Sequence, residues 1–239
     1  MTAPTPAPIE LHYWATPNGH KISIALEEMG LPYELHLVNI GKGEQFRPEF
    51  LAIAPNNRMP AIVDPEGPDG APVSIFESGA ILQYLGRKTG KFFGIDDRSR
   101  IEVEQWLMWQ MGGLGPMMGQ ANHFLKYAPQ MDPPEVIPYA QNRYRSEVAR
   151  LLGVLDRQLA KGDYVAGDYS IADMAIFPWA RIADKQEQDL SAFAHVTAWL
   201  ERVGARPAVI AGLKVGAEAR SYAPMSKEQQ AILFGKRPA

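Results

Sequence analysis

The sequence predicts a two-part chain: a mixed α/β half built on four strands, then a half made only of helices. Three observations predict it. Alternation of apolar and polar residues, the strand period, is confined to residues 9–76. Beyond residue 99 apolar side chains recur only at helical spacing. Between the two runs lies a polar, glycine-bearing stretch, residues 86–99, read as a linker. The expected boundaries are a flexible tail over 1–8, an α/β domain over 9–90, a helical domain over 99–220 and a C-terminal tail over 221–239.

Ile9-Glu10-Leu11-His12-Tyr13 alternates as a half-buried strand. Ile22, Ala25, Leu26 and Met29 then recur at helical spacing, and Gly30 stops that run. Tyr33 to Asn39 alternates again, and Ile40 to Gln45 holds two glycines and reads as a loop. A short helix is expected from Pro48 to about Ile53. Ala61-Ile62-Val63 and Val73-Ser74-Ile75 flank a Pro/Gly/Asp-rich turn and make a hairpin. Ser78 to Lys88 is helical through Ile81, Leu82 and Leu85. The order βαβ then αββα specifies a small four-stranded mixed sheet.

In the second half, residues 100 to about 126 are apolar at helical spacing, and Gly112, Gly113, Gly115 and Pro116 predict a kink or break within them. Ala128 to Pro138 carries four prolines and reads as a loop. Tyr139 to Leu159 is an amphipathic helix with Val148, Leu151, Leu152 and Leu155 inward. Three more helices are expected over 171–182, about 192–203 and about 207–218. Ser170 and Asp173 form a capping box, the aspartate variant, whose role is folding. The tail from Ser221 has one apolar patch, Ile232-Leu233-Phe234, and either packs back on the body or is disordered.

Composition excludes several classes of function. The chain has 239 residues, enough for a sizeable core, and a net charge of −3, which offers no bulk electrostatic case for nucleic acid or an anionic membrane. It has no cysteine, which rules out disulfide staples, thiolate metal sites and a cysteine nucleophile carried by the protein. Five scattered histidines show no metal-ligand spacing, so no metal is expected. No apolar run approaches the ~20 residues of a membrane span, and the tail has neither the charged nor the apolar region of a signal peptide. A cytoplasmic protein is expected.

The stretch with the most chemical content is Thr16-Pro17-Asn18-Gly19-His20-Lys21, a strand-to-helix turn in which Asn18 is expected to be the N-cap. A helix N-terminus offers N–H groups and partial positive charge, which suits an anion such as a thiolate. Taken alone, the same turn is also an ordinary capped helix. Tyr13, within its alternating strand, is expected to pack in the core, and His20 to face solvent.

Three further motifs carry a resemblance: Asn56-Asn57-Arg58-Met59-Pro60-Ala61-Ile62-Val63-Asp64, Phe76-Glu77-Ser78-Gly79-Ala80-Ile81-Leu82-Gln83-Tyr84-Leu85, and Tyr169-Ser170-Ile171-Ala172-Asp173-Met174. Together they resemble the cytosolic glutathione transferases, with a thioredoxin-like α/β domain followed by an all-α domain. The Thr16–Lys21 turn, Gly41 to Phe50 and Gly112 to Gln120 are similar to the Nu class, a bacterial group related to a fungal nitrogen-regulatory prion-forming protein. The resemblance implies a homodimer that binds one or two glutathiones and reduces disulfides, with organic peroxide reduction beside it. Conventional conjugation to electrophiles, and a non-catalytic glutathione-binding regulator, stay open as alternatives.

It also implies roles. Thr16 and Asn18 would stabilise the glutathione thiolate, as a hydroxyl and an amide beside a helix end. Pro60 would be cis, with Met59 pairing its backbone to the cysteinyl residue. Glu77 would take the γ-glutamyl ammonium, and the Ser78 N–H and hydroxyl its carboxylate; the two are equally a favourable first turn. Gln45, Arg58 and, less directly, Lys42 are candidates for the glycyl carboxylate. With no cysteine in the chain, both sulfurs of a disulfide reduction would come from glutathione, and Gln120, Asn122, His123, Phe124 and Arg143 would line the place of the second molecule. His123 and Arg143 are the ligands expected there.

Overall fold

The computed structural model describes residues 7–219 and 225–235. The chain divides into two compact units, one of residues up to Thr89 together with those from Ala211 onward, the other Gly90–Ile210. The boundaries expected from sequence, 9–90 and 99–220, differ in that the segment from Ala211 groups with the first unit. Most of the expected tail over 1–8, and residues 221–224 and 236–239 of the other tail, lie outside the described residues.

The first unit is a four-stranded sheet in the order β2-β1-β3-β4: β1 (Ile9–Tyr13), β2 (Tyr33–Leu37), β3 (Ala61–Asp64) and β4 (Val73–Phe76). β1 and β2 are parallel, with Leu11 opposite Leu35; β3 is antiparallel to both β1 and β4, with Leu11 opposite Ile62 and Ile62 opposite Ile75. The alternation of β1 is visible in its burial, with Ile9, Leu11 and Tyr13 inside and Glu10 and His12 half-buried. Helices α1 (Pro17–Met29) and α3 (Ser78–Thr89) pack together, and Leu11, Tyr13, Ile22, Ala25, Leu26, Ile62, Ile81, Leu82 and Leu85 are fully buried. A second cluster of Val38, Phe50, Ala54 and Ala61 gathers around the short helix α2 (Pro48–Ile53), with Ile53 and Met59 against it. The expected loop over 40–45 is two 3-10 turns, Ile40–Lys42 and Glu44–Phe46.

The second unit contains α4 (Asp97–Trp109), α5 (Gly115–Asn122), α6 (Pro138–Leu159), α7 (Ile171–Ala180) and α8 (Ala194–Gly204). Of the kink or break expected at the glycines, the break is absent. A π-helical turn, Gln110–Leu114, carries the helical backbone from α4 into α5, and the wider turn accommodates the missing N–H of Pro116. The predicted capping box is present: the Ser170 hydroxyl accepts from Ala172 N, and Asp173 Oδ2 accepts from Ser170 N at 3.0 Å. The Asp173 carboxylate also accepts from Val165 N at 3.1 Å and from the Trp199 indole at 2.9 Å, tying α7 to α8. α4 has its own capping box, Asp96 with Ser99.

The last helices return to the first unit. α9 (Pro207–Lys214) ends in a segment whose carbonyls accept from α1 and β1, Gly212 O from the Ser23 hydroxyl at 2.8 Å and Val215 O from the Tyr13 hydroxyl at 3.1 Å. A Cβ on Gly212 would lie 2.7 Å from the backbone of Ile24, so only glycine permits this approach. The apolar patch of the tail lies in a further helix, α10 (Lys227–Phe234), capped by Ser226 and packed on the turn at Ile40–Lys42.

Candidate functional site

The Thr16 turn is built by the backbone first. Thr16 N donates to Trp14 O at 2.7 Å, and Thr16 itself is extended (φ −124°, ψ 166°). Its Oγ1 accepts from Gly19 N at 3.2 Å, and its carbonyl accepts from His20 N at 2.9 Å. Thr16 is therefore the N-cap, which corrects the expectation for Asn18. The reason is Pro17, whose fixed φ and missing N–H suit the first helical position, so the helix opens one residue ahead of Asn18. Asn18 stands in the first turn instead, half-buried, where backbone N–H groups point out of the helix end. Gly19 is dictated by space: a Cβ there would lie 2.2 Å from Trp14 O.

The Thr16 hydroxyl also donates to Met59 Sδ at 3.7 Å. Met59 precedes Pro60 through a cis peptide bond, as expected, at the entry to β3. From the same loop, Asn56 Nδ2 donates to Glu77 Oε1 at 3.4 Å. Glu77 is exposed and has φ +69°, a left-handed conformation that non-glycine residues hold only against strain. Its carbonyl accepts from Ile81 N at 2.9 Å, and Ser78, buried, opens α3.

Beneath Ser78 lies a residue that sequence reasoning missed. Lys21, in the second turn of α1, is only 1% exposed, and its Nζ donates to Ser78 Oγ at 3.3 Å. Burial pushes its pKa from the usual 10.5 down to about 7, against an opposing pull from the Glu77 carboxylate. One signal was present: Lys21 is the single charged residue between Pro17 and Leu26. His20 is also buried, contrary to expectation, with Nδ1 2.9 Å from the Tyr13 hydroxyl; Tyr13 packs fully in the core, as expected.

The remaining expected ligands are more scattered. Gln45 is buried, with Nε2 donating to Ile40 O at 3.2 Å and Oε1 without a partner among the described residues. Arg58 and Lys42 are exposed. α10 stands over this edge, since a Cβ on Gly41 would lie 3.0 Å from Gln229 Nε2 and one on Gly43 3.6 Å from Ile232 Cγ2. In the second unit, His123 is half-buried, edge-on to Phe124 at 5.0 Å, and Phe124 stacks on Tyr144 at 5.4 Å. Arg143 is exposed and 3.8 Å from Glu147, a carboxylate that also binds Arg150 at 2.7 Å.

Residues 15–88 match the family model of the glutathione S-transferase N-terminal domain, and residues 124–207 that of the C-terminal domain. The disulfide-bond oxidoreductase YfcG of Escherichia coli is 51% identical over 202 residues, spanning 84% of this chain and 92% of that protein. The chain belongs to the glutathione S-transferase family. A second E. coli disulfide-bond oxidoreductase, YghU, is 40% identical over 235 residues, 92% of this chain and 78% of YghU. A glutathione transferase family member from Pseudomonas fluorescens, crystallised with two glutathione bound, superposes with a TM-score of 0.82 at 44% identity, over 89% of this chain and 95% of that one. The four-stranded mixed sheet and the helical second unit of this chain are those expected from its sequence.

Proposed function

We propose that this chain is a glutathione-dependent disulfide-bond reductase. The observation that carries the reading is the interlocking of three segments within one unit. Thr16 meets Met59, Asn56 meets Glu77 and Lys21 meets Ser78, so the capped turn, the cis-proline loop and the start of α3 hold one another in place. The names of the relatives support the reaction, and the glutathione-bound neighbour supports the ligand.

The donor set fits glutathione end by end. Glu77 suits the ammonium and Ser78 the γ-glutamyl carboxylate, while Met59 and Pro60 present the edge for the cysteinyl backbone. Gln45 and the exposed Arg58 guanidinium serve the glycyl carboxylate. Thr16 and Asn18 act at the sulfur. A free thiol ionises near ~8.5, and each unit of depression needs ~1.4 kcal/mol of preference for the thiolate. The Thr16 hydroxyl, the first-turn N–H groups and the positive end of α1 are the groups that supply it. To a second glutathione we assign His123 and Arg143.

Glutathione is the reductant: two of its thiols become glutathione disulfide while the substrate disulfide becomes two thiols. The chain has no cysteine, so it contributes positioning and charge but no sulfur of its own. Among the described residues no helix is long and apolar enough to cross a membrane. We read the working form as a cytoplasmic homodimer acting on small disulfides, with organic peroxides and electrophiles as lesser substrates.

The test is glutathione-dependent reduction of 2-hydroxyethyl disulfide by the wild type, Thr16→Ala and Asn18→Ala. A wild-type rate that falls in folded variants is expected. Bound glutathione with no turnover would replace the reading with that of a binding protein, and fast conjugation without disulfide reduction with that of a conventional transferase.

A further inference from the structure

Two glycines in the turn after β2 lie against one helix. Gly41 and Gly43 flank Lys42, and α10 packs on this turn. Gln229 and Ile232 are three residues apart and so share a face of α10. Gln229 covers Gly41, and Ile232 covers Gly43. The Gln229 side chain is itself held: its Oε1 accepts from Ser226 N at 2.9 Å in the capping box, and its Nε2 is the atom a Cβ on Gly41 would meet first, at 3.0 Å. α10 has eight residues, none of them buried, too few for a helix that is stable alone, so it depends on this packing. The same turn fixes Gln45, whose Nε2 donates to Ile40 O at 3.2 Å. Gln45 is the only buried residue between Val38 and Phe50, a place where an apolar side chain would ordinarily serve. The fold therefore holds an amide inside a turn and lays a helix across that turn.

We propose that Gln229 and Ile232 are positioning residues for the glycyl end of glutathione, acting through the turn that orients Gln45 and carries Lys42. The inference rests on the reading that Gln45 receives the glycyl carboxylate. With α10 seated, Gly41 and Gly43 are pinned, Ile40 O keeps its place and the Gln45 amide is held in one orientation. An amide nitrogen has two hydrogens, so the bond to Ile40 leaves one for the carboxylate. With α10 released, the turn gains freedom that binding must then take away. A ligand with a glycyl carboxylate thus favours the seated helix. The coupling is reciprocal: α10 tightens the ligand, and the ligand holds down α10.

The probes are S-methylglutathione, whose thiol is blocked, and the same compound with methylamine in place of glycine, which keeps the peptide N–H and lacks the glycyl carboxylate. Both are titrated calorimetrically into the full-length wild type, Ile232→Asp and Gln229→Ala. Each variant is expected to bind S-methylglutathione about 5- to 15-fold more weakly, the worth of one hydrogen bond, and the analogue within about twofold of wild type. In the wild type, amide hydrogen exchange over residues 230–234 is expected to slow under saturating S-methylglutathione, and to slow less under the analogue. Equal losses for the two probes would make α10 merely structural and overturn the proposal, as would unchanged affinity. Should neither variant fold, hydrogen exchange decides: identical protection by the two probes overturns it. A wild type that binds neither probe overturns the glutathione reading itself, and one that binds both equally overturns the placing of the carboxylate at Gln45. A wild type that prefers S-methylglutathione, beside indifferent variants, overturns only the role of α10.

Discussion

Replacing Lys21 with methionine should stabilise the ligand-free protein, and do so more at neutral than at alkaline pH. The unfolded chain keeps this lysine charged up to its ordinary pKa of 10.5, whereas the folded chain releases the proton near 7. Between those values the unfolded state binds more protons, so the contribution of this group to folding stability rises with pH. At about 1.4 kcal/mol per unit, burying it costs about 4 kcal/mol at pH 7 and about 2 kcal/mol at pH 9. Methionine fills much of the same space with no charge, and gives up the hydrogen bond to Ser78, worth about 1–2 kcal/mol. Urea unfolding without ligand should therefore show the variant about 2–3 kcal/mol more stable at pH 7 and within about 1 kcal/mol of wild type at pH 9. Tyr33 and Tyr84, both pushed above the usual tyrosine range, titrate outside this window and leave the comparison unaffected. A difference that is the same at both pH values, or a variant less stable at pH 7, would refute the reasoning.

Three other substitutions probe the same architecture. Gly19→Ala forces a Cβ to 2.2 Å from Trp14 O, and thermal unfolding should report a loss of about 1–3 kcal/mol together with reduced glutathione-dependent turnover. Glu77→Gly relieves a left-handed residue and should raise stability by about 1 kcal/mol while weakening S-methylglutathione in calorimetry; a destabilised variant would count against strain at this position. Ser170→Ala removes the cap of α7 and should cost about 1 kcal/mol by urea unfolding with little change in turnover, and a large loss of activity would place Ser170 in a role beyond folding.

Much of the architecture was legible in local pattern. The alternation of Ile9 to Tyr13 gave β1, and the apolar spacing of Ile81, Leu82 and Leu85 gave α3. The Ser170 to Asp173 spacing announced its own capping box. The box on α4 is hidden because its reciprocal partner is Ser99 rather than an acid or glutamine, and its residues fall in a polar, glycine-bearing stretch. At the first turn, two good capping residues stand two apart, and Pro17 between them should have decided for Thr16. The glycines at 112–115 read as a kink or a break, since a π-helical turn has no local signature as plain as a proline. Lys21 was out of reach for a different reason. A lysine is ordinarily exposed, and what buries this one is α3, which follows it by more than fifty residues. Likewise, nothing near Gly212 announces that it must pass within van der Waals range of Ile24.

That last approach bears on how the molecule can come into being. The helix that begins at the Thr16 turn gives a hydrogen bond from Ser23 to Gly212, a residue synthesised nearly two hundred positions later, and β1 gives one from Tyr13 to Val215. While the ribosome is still making Gly90–Ile210, the sheet half lacks these acceptors and the cover they bring. The sheet unit is thus not a cassette that can be excised after Thr89 or grafted between relatives at that point. A transplant would have to carry both ends of the chain, and on the ribosome the first strand made is among the last to be finished.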